Sequence, residues 1–447
     1  MSEAGMAMDE PARLEVDRLL DDRETRIIVC CGSGGVGKTT TAAALGLRAA
    51  ERGRKAVVLT IDPARRLAQS MGIDSLDNTP RKVTGVGGNG NDGNDGDGGD
   101  GGDGGAPGEL HAMMLDMKRT FDEIVEGHTD PERAEAILAN PFYQSLSAGF
   151  AGTQEYMAME KLGQLRARDD WDLIIVDTPP SRSALDFLDA PKRLGSFLDG
   201  KFIRVLMAPA KVGGRAGMKF LNVGMSLMTG TLSKLMGASL LKDVQTFVAA
   251  MDTMFGGFRT RADATFRLLQ APGTAFLVVA APEPDALREA AYFVERLAAE
   301  RMPLAGLVLN RVHGSDADQL SAERALAAAE NLEEGGIVDQ ESGKAGLRDD
   351  DRSTPDTGLD LGADTAADAD DDADVDADVD EITAGLLRLH AERMQVIARE
   401  QRTRDRFTSL HPEVAVAEVA ALPGDVHDLA GLRAIGERLA AGVPAGA

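Results

Sequence analysis

Cysteine is nearly absent from this 447-residue chain: Cys30 and Cys31 are the two it has, and they are adjacent. Neighbouring cysteines rarely close a relaxed disulfide, so a disulfide-stapled scaffold is excluded, and metal spacing of the C-x-x-C kind is missing. The pair reads instead as two small buried residues at a strand end. The six histidines form no ligand cluster. Long apolar runs are lacking as well. The most tempting segment, 220–233, is bracketed by Lys219 and Lys234 and falls short of the ~20 residues a bilayer needs. The first residues carry Asp9, Glu10 and Glu15 without an apolar stretch, so no secretory leader and no integral membrane segment are expected, and the cytoplasm is the expected compartment. A basic surface is missing too. The net charge is −25, and most of it sits in two stretches. Residues 92–103 hold five Asp and no base, and residues 349–381 hold fifteen acids against Arg352. No patch is left that would neutralise a phosphate backbone, which argues against nucleic acid as a partner.

What remains is an ordinary soluble composition, 43% hydrophobic and 27% charged. Short apolar runs at 26–31, 56–61, 110–115, 173–177, 275–280, 304–310 and 414–419 are nearly continuous in Val, Ile, Leu and Ala. Such runs fit strands of a parallel sheet covered on both faces. Helical patterns lie between them, at 40–52, 131–138 and 285–300. The alternation predicts an α/β, doubly wound, mostly parallel sheet. The expected layout is an N-terminal tail over 1–22 and a core over 23–189, 271–330 and 382–447. Two unstructured insertions are expected, the Gly/Asp stretch 85–108 and the acidic stretch 331–381, because neither has the apolar content to build a core. Residues 190–270 show no strand pattern and are rich in Met, Leu and Phe. They read as an inserted helical subdomain, whose methionines suit either an adaptable groove or a packed core.

The run Gly32-Ser33-Gly34-Gly35-Val36-Gly37-Lys38-Thr39 satisfies G-x-x-x-x-G-K-[ST] between a predicted strand and a predicted helix. Successive N–H groups of Gly34, Gly35, Val36, Gly37, Lys38, Thr39 and Thr40 would face one concavity at a helix N-terminus, which suits phosphate. Lys38 would neutralise the terminal phosphates of ATP, and the Thr39 hydroxyl would ligate Mg²⁺. Two carboxylates, Asp62 in VVLTIDP and Asp177 in LIIVDTPP, follow at predicted strand ends. In open parallel sheets such ends gather the ligand-binding groups. Asp177 is the expected Mg²⁺-side acid, and Asp62 is left to orient the attacking water.

Together the loop, the TIDPA segment (60–64) and the DTPPSRSALDFL segment (177–188) resemble the ArsA/Get3 family of P-loop ATPases. These are anion-pump and tail-anchored-protein-targeting ATPases of the SIMIBI class. The resemblance implies an ATP- and Mg²⁺-dependent dimeric switch, with Asp62 in switch I, Asp177 opening switch II, Asn310 recognising adenine and the segment around Pro423 walling the base pocket. It also implies that residues 190–270 are the place for a protein cargo. Three departures stand out. The family's loop carries a lysine one residue after its first glycine, reaching the partner's nucleotide, and here that residue is Ser33. Such trans-acting cations are worth roughly 10³–10⁵ in rate, so a heterodimer with a related lysine-bearing subunit is an expectation beside the homodimer. The dimer-bridging C-x-x-C zinc site is missing. So is the cysteine triad that would bind arsenite, so arsenite transport is not expected. The other readings are a regulatory ATP sensor and a ParA/MinD-like positioning ATPase.

Overall fold

The computed structural model describes residues 12–61, 65–73, 75–86, 108–147, 153–179, 260–341 and 369–441. These fall into two compact units, one built from the chain up to Arg311 together with Arg406 onward, the other from Val312–Asp405.

The first unit is organised on an eight-stranded sheet. Its strands are β1 (Ile27–Gly32), β2 (Lys55–Thr60), β3 (Arg81–Lys82), β4 (Glu109–Met114), β5 (Leu173–Asp177), β6 (Thr274–Ala280), β7 (Leu304–Val312) and β8 (Val416–Ala420). The order is β3-β4-β2-β5-β1-β6-β7-β8. The pairs β4–β2, β2–β5, β5–β1, β1–β6 and β6–β7 are parallel, and β3 turns antiparallel onto β4. Every residue of β1, β5 and β6 is buried, as expected of strands with helices on both faces. Seven of the eight strands lie within one or two residues of the sequence expectation. β3 was not anticipated: it has two exposed, charged residues and no pattern to read.

The helix Lys38–Glu51 buries Leu45, Leu47 and a run of alanines against Val58, Leu110 and Ile175. On its far side the helix Leu429–Ala441 supplies Leu432, Ile435 and Leu439 to the same core. Beyond β8 the chain's own start is stitched on, since Leu14 N donates to Val416 O (3.0 Å) and Val416 N to Ala12 O (2.8 Å). The part of the expected tail from Ala12 on is therefore structured. Arg54, just before β2, is 1% exposed and donates to the carbonyls of Leu20, Asp22, Thr25 and Asp172 at 2.6–3.1 Å. It clasps the starts of three segments at the end of the sheet where the strands begin.

In the second unit the helix Ala322–Glu341 buries Ala325 and Ala329, and the helix Ala369–Leu410 buries Ala384 and Ala391. Arg388 donates to Glu333 (2.6 Å), and His390 Nε2 lies 2.8 Å from Leu320 O. This corrects part of the expectation for 331–381. Residues 331–341 and 369–381 are helical, and 342–368 lie outside the described residues. The acidic run has too little apolar content to build a core of its own. A helix anchored further along needs no core to extend through Ala-rich sequence, and acids near its N-terminus suit its dipole. Of the Gly/Asp stretch, 87–107 are outside the description, as are 190–259 of the expected helical subdomain; 260–270 are helical.

Candidate nucleotide-binding site

β1 lies between β5 and β6, where the strand order reverses. Loops leaving strands at such a switch point diverge and leave a crevice. The loop Gly32–Gly37 occupies that place. Gly32 has φ 150°, and a Cβ there would sit 2.0 Å from Val279 O, so only glycine lets the loop leave β1 beside β6. Gly37 has φ 96° and hands over to the helix at Lys38 without a side-chain cap. The helix therefore opens directly on the loop with no side-chain cap, the arrangement that binds anions.

Lys38 is 6% exposed, and its Nζ donates to Ser33 O at 2.7 Å, across the concavity of its own loop. The next residue makes the central contact of the site. Thr39 Oγ1 donates to Asp177 Oδ2 at 2.6 Å, and Thr60 Oγ1 donates to the same oxygen at 3.0 Å. Register explains the meeting: Asp177 is the parallel partner of Cys30 in β1 and of Thr60 in β2. Two strand ends and the first turn of the helix thus bring a carboxylate and two hydroxyls together, with Asp177 fully buried. Buried acids need such donors. The adjacent thiols are inert by the same burial, which pushes Cys30 well up and Cys31 up to about 12. Thr178 closes the corner by donating from both its N–H (3.2 Å) and its hydroxyl (2.9 Å) to Cys30 O.

Asp62 lies outside the described residues, but its neighbour is fixed on both sides. Ile61 N donates to Asp177 O (3.1 Å), and Ile61 O accepts from Gln154 Nε2 (3.0 Å) at the start of the helix Thr153–Arg168. Asn310, at the end of β7, is 8% exposed, and its Nδ2 donates to Val36 O at 2.8 Å. The structure thus ties Asn310 to the phosphate loop, a contact the sequence reading did not foresee. Pro423 is exposed in the loop after β8, whose carbonyls at Ala420 and Ala421 accept from Arg438. Ser33, 9% exposed, donates through Oγ to Glu289 Oε2 at 2.6 Å. Thr60, Gln154 and Glu289 were all missed as site residues. Thr60 was readable, because it sits two positions before Asp62 at a strand end; Gln154 and Glu289 carry no local signal.

The donor set is hard oxygen throughout, one carboxylate and one hydroxyl at 2.6 Å beside a phosphate loop, and it fits Mg²⁺. Comparison with known proteins settles the lineage. The family model for anion-transporting ATPases (ArsA) matches residues 25–91 and 107–334. The chain belongs to that family. It is an ATPase of α/β P-loop architecture. Among its relatives are the ATPase GET3 of Podospora anserina, 25% identical over 72% of this chain and 84% of the relative, and the ATPase get3 of Neurospora crassa, with the same identity and coverage. The ATPase ASNA1 homolog of Entamoeba histolytica is 25% identical over 43% of the chain and 54% of its own length. Among the described residues, no helix is long and apolar enough to cross a membrane.

Proposed function

We propose that this ATPase is a nucleotide-driven switch that couples ATP binding and hydrolysis to the handling of a protein partner. The observation that carries the reading is the convergence of Thr39, Thr60 and Asp177 beside Lys38, at two strand ends and the first turn of the helix Lys38–Glu51. In this reading Lys38 swings from Ser33 O to the terminal phosphates, while the N–H groups of residues 34–40 hold the phosphate oxygens. Thr39 and Asp177 hold Mg²⁺, directly or through water, and Thr60 keeps the carboxylate oriented. The ion supplies charge neutralisation on the phosphates. Asp62, which follows the tethered Ile61 in sequence, orients the attacking water. Residues 190–270 form the partner-binding part, Pro423 lines the base pocket, and Asn310 braces the phosphate loop through Val36 O. The switch is a dimer, of like chains or with a related lysine-bearing subunit. Arsenite is not its cargo, since its two cysteines are adjacent and buried rather than a triad.

A second reading, a sensor that binds ATP and scarcely turns it over, is favoured by Ser33. Its hydroxyl is engaged by Glu289 and supplies no charge to a transferring phosphoryl group. Steady-state hydrolysis by the purified chain, with Lys38→Ala as the blank and mass photometry with and without ATP, separates the two. Robust turnover by a homodimer supports the self-sufficient switch. Tight ATP binding with turnover no higher than Lys38→Ala defeats it, and leaves the sensor or a missing lysine-bearing partner.

A further inference from the structure

The long helix Ala369–Leu410 has two faces with opposite fates. Ala384, Ala391 and Ile397 are buried. Val379, Ile382, Leu386, Leu389 and Val396 are 53%, 64%, 62%, 63% and 40% exposed. Their spacing is three, four, three and seven residues, with Arg393 in the slot between Leu389 and Val396. That is the a/d repeat of a two-stranded coiled coil, and Val375 extends it in sequence. Scattered exposed apolar residues need no explanation, but a heptad seam does.

The charge pattern names the occupant. Between residues 370 and 381 there are eight acids and no base, and between 388 and 406 there are six Arg against three acids. Both blocks sit on one continuous helix. At ~1.5 Å per residue their centres lie ~33 Å apart, several screening lengths at cellular salt. The blocks cannot neutralise each other within one copy. A helix running the opposite way brings acid to base at both ends, whereas a parallel copy would set acid on acid. The seam has the matching symmetry. Pairing Leu386 with Leu389 of a second copy also pairs Val379 with Val396 and Ile382 with Arg393. Every a position then meets a d position, as antiparallel coiled coils require. In that register Asp376 is level with Arg399, and Asp371 with Arg404, of the other chain.

We propose that this helix is a self-recognition element, pairing with the same helix of a second copy as an antiparallel coiled coil about a two-fold axis beside Leu386–Leu389. The proposal stands apart from the nucleotide site and does not depend on how that site turns over. It is tested on the full chain carrying Lys38→Ala, which removes nucleotide-driven association, with Leu386→Cys and Leu389→Cys made separately. Cys30 and Cys31 are buried and stay out of the reaction. Under mild oxidation the 1:1 mixture of the two variants should give a disulfide-linked dimer in at least about tenfold higher yield than either variant alone. Equal yields from the single variants would mean a parallel or unspecific contact and overturn the proposal. No linked dimer in any sample would overturn it as well, and would leave the seam to another part of the same chain. Leu386→Glu, on an exposed position that leaves the fold intact by circular dichroism, should sediment as a monomer where the parent sediments as a dimer. The parent's dimer should also weaken between low and high salt. A parent that is monomeric at all salt concentrations refutes the pairing.

Discussion

Asn310 offers a sharp discrimination, because resemblance and geometry assign it different work. By resemblance it reads adenine. In the structure its Nδ2 donates to Val36 O at 2.8 Å, with Asn310 8% and Val36 4% exposed. Gly37 makes the room this amide occupies, since a Cβ there would come within 2.2 Å of Nδ2. Asn310→Ala removes the donor and leaves a buried carbonyl unpaired in the phosphate loop, at a cost of ~1–3 kcal/mol. If that cost falls on the binding-competent loop, nucleotide Kd rises by roughly 5- to 150-fold. A loop brace acts at the phosphates, so ATP, GTP and inorganic tripolyphosphate should all weaken by the same factor in calorimetric titrations. Asn310→Asp, which swaps the donor for an anion facing the carbonyl, should weaken them more, and Gly37→Ala should reproduce the alanine effect by pushing the amide away. Loss of ATP affinity with GTP and tripolyphosphate unchanged would refute the brace and return Asn310 to the base.

Arg54→Met should unfold the first unit far more readily than a surface change does. One charged hydrogen bond is worth ~1.5–3 kcal/mol; four carbonyls lose their donor here, and partial rehydration brings the total to about 3–5 kcal/mol, a Tm drop of roughly 10 °C by differential scanning fluorimetry. The KM for ATP should be unchanged, because Arg54 sits where the strands begin and the site where they end; an unaltered Tm would disprove the clasp. Ellman's reagent at about pH 8 should label neither cysteine of the native chain and both in strong guanidinium, since burial holds Cys31 up at about 12 and Cys30 well above its ordinary value; prompt labelling of the folded protein would contradict that packing.

Most of the sheet was legible because its strands are buried on both faces. Continuous runs such as IIVCC and LIIV leave no alternative to a covered parallel sheet, and the loop between Gly32 and Thr39 fixes which strand is central. Asp177 was legible for the same reason: it ends a strand that must neighbour the loop. What could not be read was set by long-range contact. The Asp177–Thr60 bond depends on β2 and β5 being neighbours in register, and Gln154 reaches Ile61 across 93 positions. Glu289 meets Ser33 only because β6 lies beside β1. The helix Met117–His128 was missed although its start was written in the sequence: Asp116 caps it by accepting from Arg119 N, and Phe121, Ile124 and Val125 keep helical spacing behind it. The acidic run was misjudged by asking about cores rather than helix propagation. Adding its alanines to the heptad that follows would have carried one helix back toward residue 369.

The association proposed for that helix changes how nucleotide-driven pairing should be reasoned about. Two free ATPase chains that close around nucleotide must first find each other, so their closure depends on concentration and on the affinity of the nucleotide faces alone. A coiled coil that already holds two copies turns the second contact into an intramolecular step. The relevant quantity is then an effective concentration, ~mM for short flexible connections and near zero if the connection cannot span the distance. Where the connection spans the distance, a nucleotide face too weak to pair two free chains becomes strong enough to close within a tethered pair. On that argument the seam bears on the choice between self-sufficient switch and sensor. Closing two tethered copies is still not chemistry: Ser33 brings no cation from either of them, and tethering multiplies encounters without adding charge to the transferring phosphoryl group. A tethered homodimer that closes on ATP and still hydrolyses slowly would therefore locate the deficit at Ser33. One that hydrolyses briskly would show that Lys38 and the Thr39–Asp177 pair, with Asp62, suffice.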